Sequence, residues 1–386
     1  MVDVVVAGHI CVDLIPTLPD LAGGFSYNPG TLLEVGPVTV STGGCVPNTG
    51  GALHRLGSRV RLVGRVGDDP FGGIVRRSLV ANGLDDSIRV IPGESTSYSM
   101  ILSPPGEDRM FLHFAGANDS FDEDDLADAD LSDARIFHFG YPPIMRRMYE
   151  DGGENLAGLM ARAKRAGLVT SLDMAYPDPA TASGGADWPR ILERALPEVD
   201  IFVPSLEESL LMLDPDFRSS KDEPEGVAGV AADRVSRLGE RLLGMGAGIV
   251  GIKCGDRGLY LRTGSEDRLR ATGLFSDAAA WSDLELWSSV FEVEVVGTAG
   301  AGDATVAGFL HALLLGDSPE DAVTAAVASG ASSVEAADAT SGVRSWKETR
   351  RRISDGWRRR AGDPPGEGWS AHDRDGLWTG PRAGSG

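Results

Sequence analysis

The sequence predicts an α/β protein whose sheet is largely parallel. Short apolar runs of strand length alternate along the chain with longer segments of helical period, the order of elements in parallel α/β folds. Several runs are apolar at nearly every position, as in strands buried on both faces of a sheet. The 386 residues are 42% hydrophobic and 24% charged, an ordinary composition for a globular chain. At about 150 residues per domain, this length allows two or three domains.

The strands and helices of this pattern follow in chain order. The runs that predict strands are Val2–Ala7, Val60–Val66, Ile136–Phe139, Val199–Val203 and Ile249–Lys253. The segments of helical period between them are Asn48–Leu56, Phe71–Ala81, Gly158–Ala166 and Asp233–Leu243. No self-similar period is visible by eye, so a repeat architecture is not indicated.

Two stretches depart from this alternation of strands and helices. They predict a small antiparallel sheet that covers the main sheet as a lid. Leu32–Thr42 alternates apolar with small or polar residues, as a half-exposed strand does. Ser97–Leu102 and Met110–Phe114 flank the turn-rich segment Ser103–Arg109 and indicate a hairpin. We expect the lid to include about 14–42 and 95–115.

The end of the chain differs in composition from the rest. From about Asp355 onward it is rich in Trp, Arg, Pro, Gly and Asp without periodicity. We therefore expect residues 355–386 to be a disordered or loosely docked tail, and the folded domain to span residues 1–354.

The charge balance and the cysteines restrict the classes of function. Lys and Arg number 36 against 57 Asp and Glu, which gives a net charge of −21 and disfavours a nucleic-acid or anionic-membrane partner. Three widely spaced cysteines indicate a reducing compartment without a disulfide framework. The start lacks a basic segment typical of a secretory signal, and the longest apolar run, Phe309–Leu315, is far shorter than the ~20 residues of a membrane span. We expect a cytoplasmic protein.

The segment Gly297–Gly316 is the most informative for chemistry. Apolar residues repeat at helical spacing from Val306 to Leu314, so the turn Gly300-Ala301-Gly302 precedes a buried helix. The N–H groups and the dipole at the start of such a helix bind anions. Asp303 lies in the same turn, where a carboxylate suits a base that deprotonates a hydroxyl while the turn holds a phosphoryl group. The alternative is a glycine-rich turn in which Asp303 only starts the helix.

Two other phosphate-binding motifs are excluded. No Gly-Lys-Ser/Thr follows these glycines, so this is not a Walker A loop. Gly8 is followed by His9 and Ile10 rather than by the glycines of a dinucleotide fingerprint, which removes the main support for a nicotinamide-dependent oxidoreductase.

Six motifs follow one another along the chain: Gly8 to Asp13, Gly43 to Ala52, Val63 to Gly72, Asp200 to Glu208, Val250 to Gly258 and Thr298 to Asp303. In their order and spacing, from about Val4 to Trp346, the sequence resembles the ribokinase-like (PfkB) carbohydrate kinase family. The resemblance implies a three-layer α/β sandwich with a mostly parallel central sheet and a small β lid. It also implies an enzyme that transfers a phosphoryl group from ATP to a hydroxyl of a sugar or sugar-like molecule.

Two positions depart from the family pattern. Gly297 precedes Thr298 where the signature normally has an aspartate, so a carboxylate that helps to order this loop or a nearby cation is missing. Ser205 replaces the asparagine of the family's Asn-x-x-Glu region, although Glu208 is kept. A serine hydroxyl can still form a hydrogen bond with the water shell of a metal ion, so we expect metal binding to be altered rather than lost.

The resemblance implies a role for each matching residue. Asp303 would be the general base, and the N–H groups of Ala301, Gly302 and Asp303, after the turn residue Gly300, would form the anion hole. Asp13, Gly43, Gly44 and Asn48 would hold the sugar, with His113 reaching it from the lid. The nucleotide side would include Ser205, Glu208, Lys253, Gly255, Gly258 and Thr298.

Cofactors and alternatives also follow from the resemblance. ATP and Mg²⁺ are expected, with Glu208 acting on the metal through water, and a monovalent cation is a further candidate. Each residue also has a purely structural alternative. Asp13 could cap the turn after its strand, and Glu208 could be an exposed carboxylate at a helix start. Lys253 could extend to solvent, and His113 could pack in the core.

The whole chain also has alternative interpretations. It could be a sugar- or nucleotide-binding protein of the same fold with little catalysis, which Gly297 and Ser205 favour. The substrate could be ribose, fructose, a keto-deoxy sugar acid, a nucleoside or a phosphosugar, and we favour a neutral sugar. Leu33, Val35, Val38 and Val40 give the lid an apolar face, which predicts a homodimer.

Overall fold

The strands of the protein form one large sheet and two small ones. The computed structural model describes residues 2–20, 29–84, 87–104, 110–214, 217, 226–360 and 365–383. The strands in these residues are β1 (Val4–Gly8), β2 (Cys11–Pro16), β3 (Val38–Gly43), β4 (Val60–Val63), β5 (Arg65–Gly67), β6 (Arg89–Ile91), β7 (Tyr98–Leu102), β8 (Met110–Phe114), β9 (Ile136–Gly140), β10 (Val169–Asp173), β11 (Ile201–Phe202), β12 (Ile249–Lys253), β13 (Leu259–Thr263), β14 (Glu285–Ser288), β15 (Ser370–Ala371) and β16 (Leu377–Thr379).

The helices connect these strands and cover the large sheet. In the described residues they are α1 (Cys45–Leu56), α2 (Pro70–Ala81), α3 (Asp128–Leu131), α4 (Arg146–Tyr149), α5 (Glu154–Arg165), α6 (Trp188–Ala195), α7 (Leu206–Leu213), α8 (Ala232–Gly244), α9 (Glu266–Arg270), α10 (Ala301–Leu315), α11 (Pro319–Ser333) and α12 (Trp346–Ser354). None of these helices is long and apolar enough to cross a membrane.

The large sheet has ten strands in the order β15-β16-β14-β13-β12-β11-β10-β9-β1-β4. The six from β4 to β12 are parallel, whereas β13, β14, β16 and β15 continue the sheet in antiparallel fashion. Gly8, Gly140 and Asp173 are register partners at the ends of adjacent parallel strands. The carboxyl ends of these strands therefore lie along one edge, the place where α/β proteins bind ligands.

Successive side chains of a buried strand point to opposite faces of the large sheet and therefore belong to two separate hydrophobic cores. Val4 and Val6 of β1 pack with residues of α1, α10 and α11, such as Phe309, on one face of the sheet. Val5 and Ala7 pack on the other face with residues of α5, α6 and α8, such as Trp188. The three-layer sandwich expected from the sequence is confirmed.

A second sheet of four strands, β3-β2-β7-β8, forms the lid. Strand β2 pairs antiparallel with β3 but parallel with β7, so the lid is mixed rather than fully antiparallel as predicted. The predicted strand Leu32–Thr42 is shorter in the structure, because β3 pairs with β2 only over Val38–Gly43. Residues 21–28 and 105–109, which include most of the predicted hairpin turn and Arg109, lie outside the described residues.

Most of the other predicted elements lie within a few residues of their observed bounds. The predicted strand Val60–Val66 is divided into β4 and β5, which belong to different sheets. Helix α1 begins at Cys45, three residues before the predicted start, because Gly44 is its N-cap and Pro47 fits a first turn.

The C-terminal segment is packed onto the sheet, so the expectation of a disordered or loosely docked tail is wrong for residues 365–383. Strand β16 pairs antiparallel with β14, whose edge would otherwise be open. The Trp369 ring is 8% exposed and lies edge-on to Tyr260 and Trp287, with ring centroids 6.3 and 5.8 Å apart. Leu377 is 2% exposed. Isolated apolar residues in a polar stretch therefore anchor this segment.

Trp369→Ala tests whether the segment contributes to stability. Loss of a buried aromatic side chain leaves a cavity, and we expect the free energy of unfolding to fall by about 3–5 kcal/mol. Equilibrium urea unfolding measures this, with Val80→Ala (Val80 is 57% exposed) as the control. A loss no larger than that of the control would show that the segment is only loosely attached.

Candidate active site

The site is built around the start of α10. Its N-cap, Gly300, has a φ of 71°, and a Cβ atom there would lie 2.5 Å from the Cβ of Ala339, so only glycine fits. The first helical bond runs from the Ala304 N–H to the Gly300 carbonyl at 2.8 Å. The N–H groups of Gly302 and Asp303 lie in the first turn, where an α-helix offers them no acceptor. This turn can therefore bind an anion.

The Asp303 carboxylate is 3% exposed and held by three donors. Its Oδ2 accepts hydrogen bonds from Tyr141 Oη at 2.7 Å and Asn48 Nδ2 at 3.2 Å, and its Oδ1 accepts one from Thr49 Oγ1 at 2.8 Å. Burial raises the pKa of Asp303, although these donors and the Lys253 ammonium oppose the shift. The carboxylate is thus fixed in position and is a stronger base than an exposed aspartate.

Tyr141 is a site residue that the sequence analysis missed. It follows β9 at the carboxyl edge of the sheet and has a φ of 75°, a costly backbone conformation for a bulky residue. Its ring stacks on His9 with centroids 6.1 Å apart, and His9 in turn lies 5.1 Å from the His113 ring of the lid. The sequence signal that could have identified Tyr141 is its position at the end of a predicted strand, in Gly140-Tyr-Pro-Pro. It does not belong to any of the motifs.

Lys253 places a positive charge beside the anion-binding turn. Its Nζ lies 2.6 Å from Asp173 Oδ1, and the two side chains are 12% and 2% exposed. A Cβ atom at Gly302 would lie 3.4 Å from the same Nζ. Burial raises the pKa of Asp173, and nearby Glu208 and Asp303 raise it further, while Lys253 lowers it. Lys253 therefore faces the site rather than solvent, and its partner Asp173 was also missed from the sequence.

Ser205 and Glu208 form a capping box at the start of α7. The Ser205 Oγ accepts a hydrogen bond from the Glu208 N–H at 3.2 Å, and Glu208 Oε2 accepts one from the Ser205 N–H at 2.7 Å. Ser205 also forms a β-bridge with Lys253, which brings this helix end to the same edge of the sheet. The capping role does not occupy Glu208 Oε1, so a metal-bound water can still bond to it.

The donor set fits a hydrated Mg²⁺ ion. Within the described part of the chain, no group of three or more His, Cys, Asp or Glu side chains could enclose a metal. Mg²⁺ commonly keeps several waters and takes one or two carboxylates together with phosphate oxygens. Glu208 and Asp173 supply carboxylates of this kind beside the anion-binding turn.

Two cavities meet at the residues before α10. One, of about 670 Å³, lies under the lid and is lined by Asp13, Asn48 and Thr298, among others. The second has a volume of about 630 Å³, and Thr298 lies on its wall as well. Its other lining residues include Lys253, Gly255, Gly258, Ala301 and Gly302. The motif residues thus divide into two groups on either side of this turn.

The lid contributes a row of polar side chains. Ser41, Asp13, Ser99 and His113 are successive partners across its four strands. A Cβ atom at Gly43 would lie 2.2 Å from Asp13 Oδ2, so this glycine makes room for the carboxylate. His113 Nδ1 lies 3.0 Å from Ser99 Oγ, and His113 is not on the wall of the cavity under the lid.

Gly44 positions α1 behind this row. Its φ is 95°, and a Cβ atom there would lie 2.5 Å from the His9 carbonyl oxygen. The close approach places Asn48, one turn into the helix, within reach of both Asp303 and the cavity under the lid.

Asp13→Asn tests the electrostatics of the lid. Burial raises the pKa of Asp13 to about 6, above its value in an unfolded chain. Its ionisation therefore lowers stability as the pH rises from about 4 to about 6. We expect the variant to be more stable than the parent by about 2 kcal/mol at pH 8 and by about half as much at pH 5.

Urea unfolding at the two pH values measures this difference. Asp128→Asn is the control, because the Asp128 side chain is 94% exposed. A stability gain from Asp13→Asn that does not change with pH would contradict the assignment.

Comparison with known proteins identifies the family. The family model described as pfkB family carbohydrate kinase matches residues 1–346. An ATP-dependent ribose-1-phosphate kinase of Halopiger xanaduensis is 26% identical over 335 residues, which cover 86% of this chain and 91% of that enzyme. A probable fructokinase-3 of Arabidopsis thaliana is 30% identical over 169 residues, which cover 43% of this chain and 46% of that protein.

Solved structures share the fold. A ribokinase from Thermotoga maritima has a TM-score of 0.68 at 20% identity, covering 92% of this chain and all of the other. An Arabidopsis thaliana ribokinase complexed with ribose and ATP has a TM-score of 0.66 at 19% identity, covering 91% of this chain and 98% of the other. These likenesses show the fold, and the match of the family model over most of the sequence shows that the chain belongs to the pfkB family of carbohydrate kinases.

Proposed function

We propose that the protein phosphorylates a hydroxyl group of a small sugar at the expense of ATP, with Asp303 as the general base. The observation that carries the proposal is the buried Asp303 carboxylate in the anion-binding turn, which follows Thr298, a residue on the wall of both cavities. The cavity under the lid would hold the sugar, and the cavity beside Lys253 and Gly255 would hold the nucleotide. The complex of an Arabidopsis thaliana ribokinase with ribose and ATP supports a sugar and a nucleotide as the two ligands.

In this mechanism Asp303 accepts the proton of the substrate hydroxyl as the hydroxyl oxygen attacks the γ-phosphorus of ATP. The N–H groups of Gly302 and Asp303 donate to the oxygens of the transferred phosphoryl group. The positive charge of the Lys253 ammonium attracts the same oxygens. The Ala301 N–H already has a long bond of 3.4 Å to the Thr298 carbonyl, which a phosphate oxygen can replace. Mg²⁺, held through water by Glu208, would neutralise charge on the phosphates.

The sugar would be bound by Asp13 and Asn48. A carboxylate and an amide together accept from and donate to neighbouring hydroxyls, which favours a neutral sugar. The ribose-1-phosphate kinase among the relatives makes a phosphosugar the alternative, and Arg55 on the wall of the same cavity would be its cationic partner. Neither His113 nor Ser99 lines this cavity, so His113 would act on the sugar only through Ser99 and Asp13.

Gly297, the departure from the family signature, lies where a side chain has no room. A Cβ atom there would be 2.9 Å from the Ala336 carbonyl oxygen and 3.1 Å from Ala337. The loop therefore packs against residues 336–337 although the family's aspartate is missing. This packing supports the proposal that the protein is active without that carboxylate. Use of a monovalent cation stays a prediction.

The outer face of the lid supports the predicted homodimer. Val38 and Val40 of β3 are 53% and 44% exposed, and Leu112 and Phe114 of β8 are 50% and 45% exposed. Exposed apolar area of this kind on a sheet is typical of an interface. The cytoplasmic location also stays a prediction.

ADP release from Mg-ATP in the presence of candidate acceptors tests the proposal. The acceptors are ribose, fructose, a keto-deoxy sugar acid, a nucleoside and ribose 1-phosphate. We expect turnover with one class, and Asp303→Asn should lower kcat by about 10²–10⁴-fold because general-base catalysis is lost.

Asp317→Asn is the matched control, because Asp317 lies just beyond the far end of the same helix. Equal activity of Asp303→Asn and the parent would exclude Asp303 as the base. Binding of ATP or sugar without turnover by the parent would favour a binding protein of the same fold.

Tyr141→Phe tests the hydrogen bond to the base. The phenol donates to the ionised carboxylate, so its loss raises the pKa of Asp303. We expect the acidic limb of the kcat–pH profile to move to higher pH by about one unit. Tyr149→Phe is the control, because Tyr149 packs on Trp188 on the other side of the sheet. An unmoved limb would mean that Tyr141 only fills space.

A further inference from the structure

A short segment after α12 builds one side of the proposed nucleotide cavity. Residues 357–360 lie beyond the residues that match the family model and pair with residues 290–292. The Arg360 N–H donates to the Val290 carbonyl at 2.8 Å, and the Glu292 N–H donates to the Arg358 carbonyl at 2.9 Å. This backbone pairing fixes the segment on the cavity wall.

Side chains of the same segment enclose Phe291. The Trp357 ring stacks on the Phe291 ring with centroids 4.3 Å apart, and the Arg359 guanidinium lies 3.9 Å from the same ring centre. Phe291 is 3% exposed and lines the cavity. The apolar end of the cavity therefore depends on residues 357 and 359 for its shape.

Arg360 reaches the rim of this cavity. It lines the space together with Asp256 and Lys253, and its Nη1 donates to Asp256 Oδ2 at 2.7 Å. Both side chains are more than half exposed, at 58% and 64%. The pair is thus open to a ligand that enters the cavity.

The charges on the cavity wall explain why this pair matters. Lys253 and Arg360 are cationic, whereas Asp256 and Glu292 are anionic. A nucleoside triphosphate is a polyanion, so an unpaired carboxylate on the wall repels it. Removal of Arg360 would leave Asp256 without this partner.

We propose that Arg360 is a nucleotide-affinity residue of the kinase, which neutralises Asp256 so that the cavity accepts a triphosphate. The proposal rests on the function proposed above, in which this cavity holds ATP. It assigns to the C-terminal segment a part in nucleotide binding as well as in stability.

Calorimetric titration of the full chain with the magnesium complex of a non-hydrolysable ATP analogue, without sugar, tests the proposal. Arg360→Gln should weaken binding by about threefold to tenfold, the range of a solvent-screened charge. Asp256→Asn/Arg360→Gln should return to within about twofold of the parent, because the repelling carboxylate is also gone. Asp256→Asn alone should bind at least as tightly as the parent.

Arg351→Gln is the control for net charge. It removes the same charge from α12, where Arg351 is 83% exposed and does not line the cavity. An unchanged affinity of Arg360→Gln would overturn the proposal, and so would an equal loss in Arg351→Gln. A double variant as weak as Arg360→Gln, or weaker binding by Asp256→Asn, would also overturn it.

A separate outcome concerns the proposed function itself. A parent chain that does not bind the analogue would refute the nucleotide assignment of the cavity, and with it this inference. Binding by the parent with no effect of Arg360→Gln would leave the proposed function intact and refute the inference alone.

Discussion

The burial of the Asp303 carboxylate is the constraint on which the rest of the site depends. A carboxylate removed from water is costly unless donors surround it. The donors come from two separate elements, since Asn48 and Thr49 belong to α1 and Tyr141 follows β9. Helices α1 and α10 must therefore pack side by side on one face of the sheet, at the edge where β9 ends. The sandwich, the glycines at its turns and the strained backbone of Tyr141 all serve this arrangement.

The part of the site that depends on local sequence could be predicted. Gly300, Gly302 and Asp303 lie within four residues, so their spacing alone indicates a turn, a helix start and a carboxylate. Tyr141 and Asp173 could not be found in this way. Each is an isolated residue at a strand end, and its role depends on which strands are neighbours in the sheet.

The same reasoning applies to the elements of the fold. The strands buried on both faces are apolar at almost every position, and their positions were predicted to within a few residues. The C-terminal segment is polar on average, and its composition predicted disorder. A few residues decide its structure, because Trp369 and Leu377 fit an edge of the sheet that β14 leaves open. Such a fit depends on partners about ninety residues earlier, which composition does not record.

The contact between Asn48 and Asp303 joins residues 255 positions apart in the chain. A contact of large sequence separation forms only after a long loop of chain has closed, which slows folding. The pairing of β1 with β4 and the start of α1 need only the first part of the chain. The cavity under the lid also needs both parts of the chain, because Asp13 and Asn48 come from the first and Thr298 from the second. A chain in which only the first part has folded therefore has neither a complete sugar cavity nor an aligned base, and recovery of activity on refolding reports that the two parts have come together.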